Sequence, residues 1–214
     1  MADSPWPVIH AEREDLAADL TPLDQAAWDT PSLCTQWSVR DTFAHMTATA
    51  RMTPARFFTS IAKAGFRFNT MVATDIRRET AGTTDDLLAA FRGLSKSSNH
   101  PPGPVDSMLG EIIIHGEDIR RPLGIQHEYP VASVVRVADF YKDSNLIVGA
   151  RKRIADLRLT ATDAQWSTGA GPEVSGPVLA LLLAMTGRSA VLPDLTGDGV
   201  ATLAGRISDG GSGA

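Results

Sequence analysis

The sequence predicts a mostly α protein, an up-and-down helix bundle followed by a small C-terminal α+β domain. Three observations carry this. From Ser4 to Lys152 apolar residues recur at helical spacing in segment after segment, joined by short links. A strong helix-start signal, Ser38-Val39-Arg40-Asp41, sits inside that run. Near Ile154 the pattern changes, and Leu157 to Thr162 alternates as a half-buried strand does.

In order, Ser4 is expected to cap a first helix whose opening turn tolerates Pro5 and Pro7. Val8, Ile9, Leu16, Ala17 and Leu20 give it an apolar stripe against Glu12, Arg13, Glu14 and Asp15. Thr21-Pro22 breaks it, and a short turn runs through Trp28. Asp29 to Ser32 reads as loop. Ser38 opens the next helix, with Trp37 able to pack back as a staple, and the helix runs through His45 to about Arg51. Thr53-Pro54 kinks or restarts it, and helix continues to about Lys63. Further helices are expected over Phe66–Glu79, then from Asp85 to about Lys96 with Thr84 as its cap. After a proline-rich loop, Ser97 to Pro104, helix returns from about Val105 to Arg120 and stops at Arg121–Gly124. A long amphipathic helix, Val131 to about Lys152, includes Leu146 and Ile147 on its apolar side.

Beyond it, Leu157–Thr162, Gln165–Thr168 and Glu173-Val174 read as strand, with a turn at Gly169–Pro172. Gly176-Pro177 opens a short apolar helix through Met185, which Gly187 stops. Asp194 to Gly199 is a turn, and Val200–Arg206 a last helix. The domains expected are therefore 1–152, a helix bundle, and 153–207, a small α+β unit, with 208–214 a disordered tail.

The totals exclude several classes. A net charge of −5 gives no reason to expect nucleic acid or a membrane as partner. The single cysteine, Cys34, rules out an intrachain disulfide and fits a reducing, cytoplasmic setting. No basic region precedes an apolar run at the N-terminus, so no signal peptide is expected. The longest apolar run, Val178 to Met185, is too short to span a bilayer.

The stretch Glu111 to Asp118 holds the chemistry. Glu111, His115 and Asp118 fall at i, i+4 and i+7 on one helical face, and four isoleucines, 112, 113, 114 and 119, occupy the others. Such a helix is buried, and buried carboxylate and imidazole are costly unless satisfied. A divalent metal would satisfy them, since E-x-x-x-H sets two ligands one turn apart. A Glu–His hydrogen bond in the core is the plainer alternative. Of five histidines, His100 and His127 lie in polar loops and His10 among charged residues; His45 and His115 lie in apolar helices. His45, Glu111 and His115 form a donor set of two imidazoles and a carboxylate, ordinary for catalytic zinc with one position open. Iron, nickel or manganese also suit it. Asp41 and Asp118 are candidates to orient the imidazoles, or else to pair with Arg40, Arg120 or Arg121.

These residues carry a resemblance. Thr35 to His45, with Trp37-Ser38-Val39, Asp41 and His45, followed by Glu111 to Gly124 with Glu111 and His115, resembles the metal-binding domain of mycothiol-dependent maleylpyruvate isomerase-like enzymes. That domain belongs to the DinB-like bundle superfamily, which includes thiol S-transferases. Trp166 to Arg188 is similar to the C-terminal domain of the same group, and Arg188 matches its functional arginine. The resemblance implies a divalent metal, zinc first, on His45, Glu111 and His115, with mycothiol as the thiol cosubstrate. It implies a thiol S-transferase or a maleylpyruvate isomerase-like activity in which the thiol attacks an electrophilic small molecule and Arg188 binds a carboxylate or developing enolate. For Arg188 the alternative is a cation placed at a helix C-terminus. Other readings are a metal-dependent hydrolase and a non-catalytic metal or small-molecule binding protein. Glu117 faces away from the motif, which leaves hydrolysis without a well-placed base. The chain is expected to be a monomer or a homodimer.

Overall fold

A computed structural model describes residues 4–145 and 148–210. The protein is mostly α, with one small sheet, and packing divides it into two units.

The first unit comprises Met1–Ser32 and Trp37–His127. Its helices are α1 (Trp6–Asp19), α2 (Gln25–Trp28), α3 (Val39–Ala50), α4 (Pro54–Lys63), α5 (Phe68–Glu79), α6 (Thr84–Arg92) and α7 (Asp106–Arg120). α1 starts on Pro5 with no side-chain cap, so Ser4 does not cap it. α3 starts with a complete capping box: the Asp41 N–H donates to Ser38 Oγ at 3.1 Å, and Asp41 Oδ2 accepts from the Ser38 N–H at 3.1 Å. α6 starts the same way on Thr83 and Asp86, one residue earlier than the cap expected at Thr84. α3 packs against α5, α6 and α7, and α1 against α6 and α7. The core between them is aromatic: Phe43 lies 4.5 Å from Phe91 and 5.5 Å from Trp28, ring centre to ring centre. Such tilted pairs add to the burial of each ring. This packing sets α3 beside α7, and so brings the two apolar-helix histidines to one place.

The second unit comprises Leu33–Gln36 and Glu128–Ala214. It holds α8 (Val131–Lys142), α9 (Ala150–Arg153), the strands β1 (Arg158–Ala161), β2 (Ser167–Gly169) and β3 (Glu173–Gly176), α10 (Val178–Met185) and α11 (Val200–Gly210). The sheet is mixed, in the order β2-β1-β3, with β2 antiparallel and β3 parallel to β1. Gly169 ends β2 at φ 74°, and a Cβ there would meet the Leu157 carbonyl oxygen at 2.1 Å, so only glycine makes this turn. α10 is apolar all round, and Leu181 to Met185 are each 0% exposed. It packs on α8, β1 and β3.

Three expectations differ from this. Packing moves the division from residue 152 to about residue 127, because α8 covers α10 and so joins the second unit. The long helix expected over 131–152 stops at Lys142, and helix resumes only at Ala150; Leu146 and Ile147 lie outside the described residues. Finally, α11 continues through Ser208, Asp209 and Gly210, which were expected to begin the tail; 211–214 lie outside the described residues. Among the described residues no helix is long and apolar enough to cross a membrane.

Candidate metal centre

α3 contributes His45 and, one turn later, Thr49; α7 contributes Glu111 and, one turn later, His115. The capping box fixes where α3 begins and hence which way His45 faces. The two imidazoles meet edge to face, ring centres 5.2 Å apart. The Trp37 ring lies 5.0 Å from that of His45 and 6.4 Å from that of His115. Expected as a staple for the helix start, Trp37 therefore also walls the two histidines.

His115 is oriented by Asp118. Its Nδ1 lies 2.8 Å from Asp118 Oδ2, and Asp118 is 0% exposed. A carboxylate there selects the tautomer with the proton on Nδ1, which leaves Nε2 as a lone-pair donor. Asp41, by contrast, is engaged in the α3 cap, where Ser38 donates to it from both backbone and hydroxyl. Glu117 accepts from Arg121 Nε at 2.8 Å, and Arg40 donates to the Thr80 and Gly82 carbonyls. Arg120 is buried, and its Nε donates to Asp19 at 2.8 Å.

The electrostatics are unusual. Burial pushes the His45 imidazole down to about 3, and the neighbouring His115 adds to the shift, so His45 is neutral across ordinary pH. Burial pushes Glu111 up to about 8, against the opposing pull of Arg13 and of a hydrogen bond with the Thr49 hydroxyl. That hydroxyl also lies 3.1 Å from the His45 carbonyl, and its one proton can serve only one of the two oxygens. By surface area both side chains are only half-buried.

Arg13 and Thr49 were not singled out in the sequence. Thr49 had a signal, since it repeats His45 at i+4 on the same stripe. Arg13 had none, because it reaches Glu111 only through the packing of α1 on α7. The loop histidine His127 also has a buried partner: its Nε2 lies 2.7 Å from Glu12 Oε2, and Glu12 is 4% exposed. Glu12, Asp15 and His127 bring their ligand atoms within 4.8 Å of one another, a closer set than His45, Glu111 and His115 form. That closer set is already satisfied by its own Glu12–His127 contact.

The chemistry of the His45, Glu111 and His115 set nevertheless fits a divalent cation. It offers two imidazole nitrogens and one carboxyl oxygen. The imidazole of His45 is neutral, and the carboxyl is held protonated only for want of a positive charge close enough to offset its burial. In the second unit, Arg188 is 3% exposed; it donates to the Thr186 carbonyl at 2.8 Å and lies 3.7 Å from Cys34 Sγ. Cys34 is 2% exposed, as a small buried filler would be.

No curated protein sequence matches the chain. Residues 9–100, which include His45 but neither Glu111 nor His115, match the family described as mycothiol maleylpyruvate isomerase N-terminal domain. The fold is similar to a crystal structure of a mycothiol-dependent maleylpyruvate isomerase bearing a histidine-to-alanine substitution, with a TM-score of 0.60 and 13% identity over 90% of this chain and 91% of that one. A second crystal structure of a mycothiol-dependent maleylpyruvate isomerase superposes at a TM-score of 0.45 and 11% identity, with the same coverage. Residues 9–100 are thus similar in sequence to that N-terminal domain, and the fold over 90% of the chain is similar to that of a solved maleylpyruvate isomerase.

Proposed function

We propose that the protein is a divalent-metal-dependent enzyme that uses mycothiol to attack an electrophilic small molecule, as an S-transferase or an isomerase. His45, Glu111 and His115 would hold the metal, with zinc the first candidate. The observation that carries this reading is the meeting of His45 and His115 beside a carboxyl that burial raises to about 8, with His115 oriented by Asp118.

A bound zinc would lower the pKa of a thiol at its open position and so supply a nucleophile near neutral pH. The chain's own residues prepare for that. Asp118 keeps the His115 proton on Nδ1. Desolvation keeps His45 neutral, so no proton competes for its lone pair. Glu111 would exchange its Thr49 hydrogen bond and its proton for the cation. The Trp37 ring shields one side of the imidazole pair from water. In the transferase reading the thiolate displaces a leaving group from carbon. In the isomerase reading it adds to a cis double bond, the resulting single bond rotates, and the thiol departs. Arg188 is carried from the family resemblance as the residue that binds a carboxylate or enolate oxygen. Hydrolysis is disfavoured because Glu117, the nearest carboxylate along the motif, is committed to Arg121.

The test is conjugate formation from mycothiol and a panel of electrophiles, with and without chelator. Thiol-dependent, chelator-sensitive turnover supports the proposal. Turnover without thiol would make the protein a hydrolase, and binding without turnover a sensor. Metal content of His45→Ala and His115→Ala should fall from one ion per chain to none. Arg188→Ala should lower turnover and leave metal content intact; unchanged kinetics would make Arg188 structural.

A further inference from the structure

α4 and the turn after it form a surface that the fold of the first unit does not use. None of the ten residues of α4 is buried. Phe58 is 62% exposed, Phe66 80% and Phe68 46%, the three most prominent large apolar side chains at the surface of the described residues. Three exposed phenylalanines fall within eleven positions of the sequence, where scattered single residues would need no explanation. The backbone adds a second point. Past the end of α4, Gly65 takes φ 62°, which glycine adopts without cost, but Phe66 follows at φ 60°. A bulky residue is rarely held there. The chain thus keeps a ring in a strained position and leaves it almost wholly in water.

Charge says what these residues fit. From Arg51 to Thr74 there are four basic residues and no acidic one, in a chain whose net charge is −5. Arg56, Lys63 and Arg67 are exposed, and none pairs with a carboxylate among the described residues. Arg56 and Lys63 are seven apart on α4 and share one stripe; Phe58 lies on the opposite side. An apolar face rich in phenylalanine, flanked by a basic face, is the pattern of a helix that lies in the plane of a bilayer. The rings enter the boundary of the acyl chains, while the long basic side chains reach back to the lipid phosphates. The whole-chain charge argues against any anionic membrane, but it averages over a local exception.

We propose that the α4–α5 corner is a peripheral docking surface for an anionic lipid bilayer, seated by Phe58, Phe66 and Phe68 and held by Arg56, Lys63 and Arg67. The test is co-sedimentation of the full chain with vesicles of phosphatidylglycerol and phosphatidylcholine in equal parts, against vesicles of phosphatidylcholine alone. Binding to the first and not the second, weakened by salt, is expected. A Phe58→Asp/Phe66→Asp double variant should bind on the order of tenfold or more weakly, and Arg56→Glu/Lys63→Glu should lose the preference for anionic vesicles. Both variants alter exposed side chains, and unchanged circular dichroism and melting temperature would show that they fold. Absence of sedimentation with anionic vesicles would overturn the proposal, as would equal binding by the folded variants. A dimer in solution that Phe66→Asp dissociates would also overturn it, and would make the surface an interface between two copies. Vesicle binding is independent of metal and thiol, so this outcome and that of the catalytic test stand apart.

Discussion

Glu111 and His45 are protonated in opposite senses by the same cause, and the two have measurable consequences. Glu111 has an ordinary value of 4.5 and sits at about 8 in the fold. Between those values the folded chain binds the proton and the unfolded chain does not, so the metal-free protein loses stability as pH rises through that window. His45 has an ordinary value of 6.5 and sits at about 3. Here the unfolded chain binds the proton first, so stability is lost as pH falls from 6.5 towards 3. Metal-free protein should therefore be at its best between about pH 4.5 and 6.5 as far as these two groups decide. Denaturation midpoints across pH check this, and Glu111→Gln should remove the decline on the alkaline side. If Glu111 ligates a metal as proposed, binding requires its carboxylate, and affinity should rise with pH until about 8 and then level off. Asp118 meets the proposed metal site through His115: Asp118→Asn should weaken zinc binding by about 10–100-fold, read by competition with a chromophoric chelator, with the fold retained. That Glu111, His115 and Asp118 share one face of α7 was legible in the sequence, because helical spacing aligns them. What they contact was not: the Thr49 hydrogen bond and the charge of Arg13 depend on packing between helices distant in sequence.

The helices behave as their ends dictate. α3 carries His45, and its capping box satisfies N–H groups that would otherwise be left without partners. Ser38→Ala should cost about 1 kcal/mol in urea denaturation. Thr83→Ala, at the equivalent position of α6, should cost a similar amount. Only the Ser38 change alters an element that carries a proposed ligand, so only it should also loosen zinc. The Ser38 cap was readable because S-x-x-D is a local signal. The interruption after Lys142 was missed although its cause is also local. Asp143, Ser144 and Asn145 favour turns over helix, and Asn145 Oδ1 accepts from the Lys152 N–H at 2.8 Å, an alternative to the helical ladder. The apolar periodicity of the flanks was read through a segment whose composition argued against helix.

At the scale of the molecule, division into units follows from covering α10. A helix with Leu181 to Met185 all at 0% exposure must be enclosed on every side, and a three-stranded sheet covers only one. α8 supplies cover that residues 153–207 lack, which is why a boundary drawn where the sequence pattern changes falls too late. Zinc, if the proposal holds, should act on the stability of the whole chain. At free zinc about 100 times its Kd the gain is about 2.7 kcal/mol, or roughly 5–11 °C for a chain of this size. Thermal melts before and after chelation measure it, and an unchanged midpoint would count against a bound metal.

Leu33 to Gln36 belong to the second unit, although the residues on both sides of them belong to the first. Synthesis runs from the N-terminus, so this tetrapeptide leaves the ribosome more than ninety residues before the rest of its unit begins at Glu128. The second unit cannot be completed until the first is largely made, and no single proteolytic nick releases both halves intact. A fragment starting at Glu128 would lack Cys34 and leave Arg188 without that neighbour.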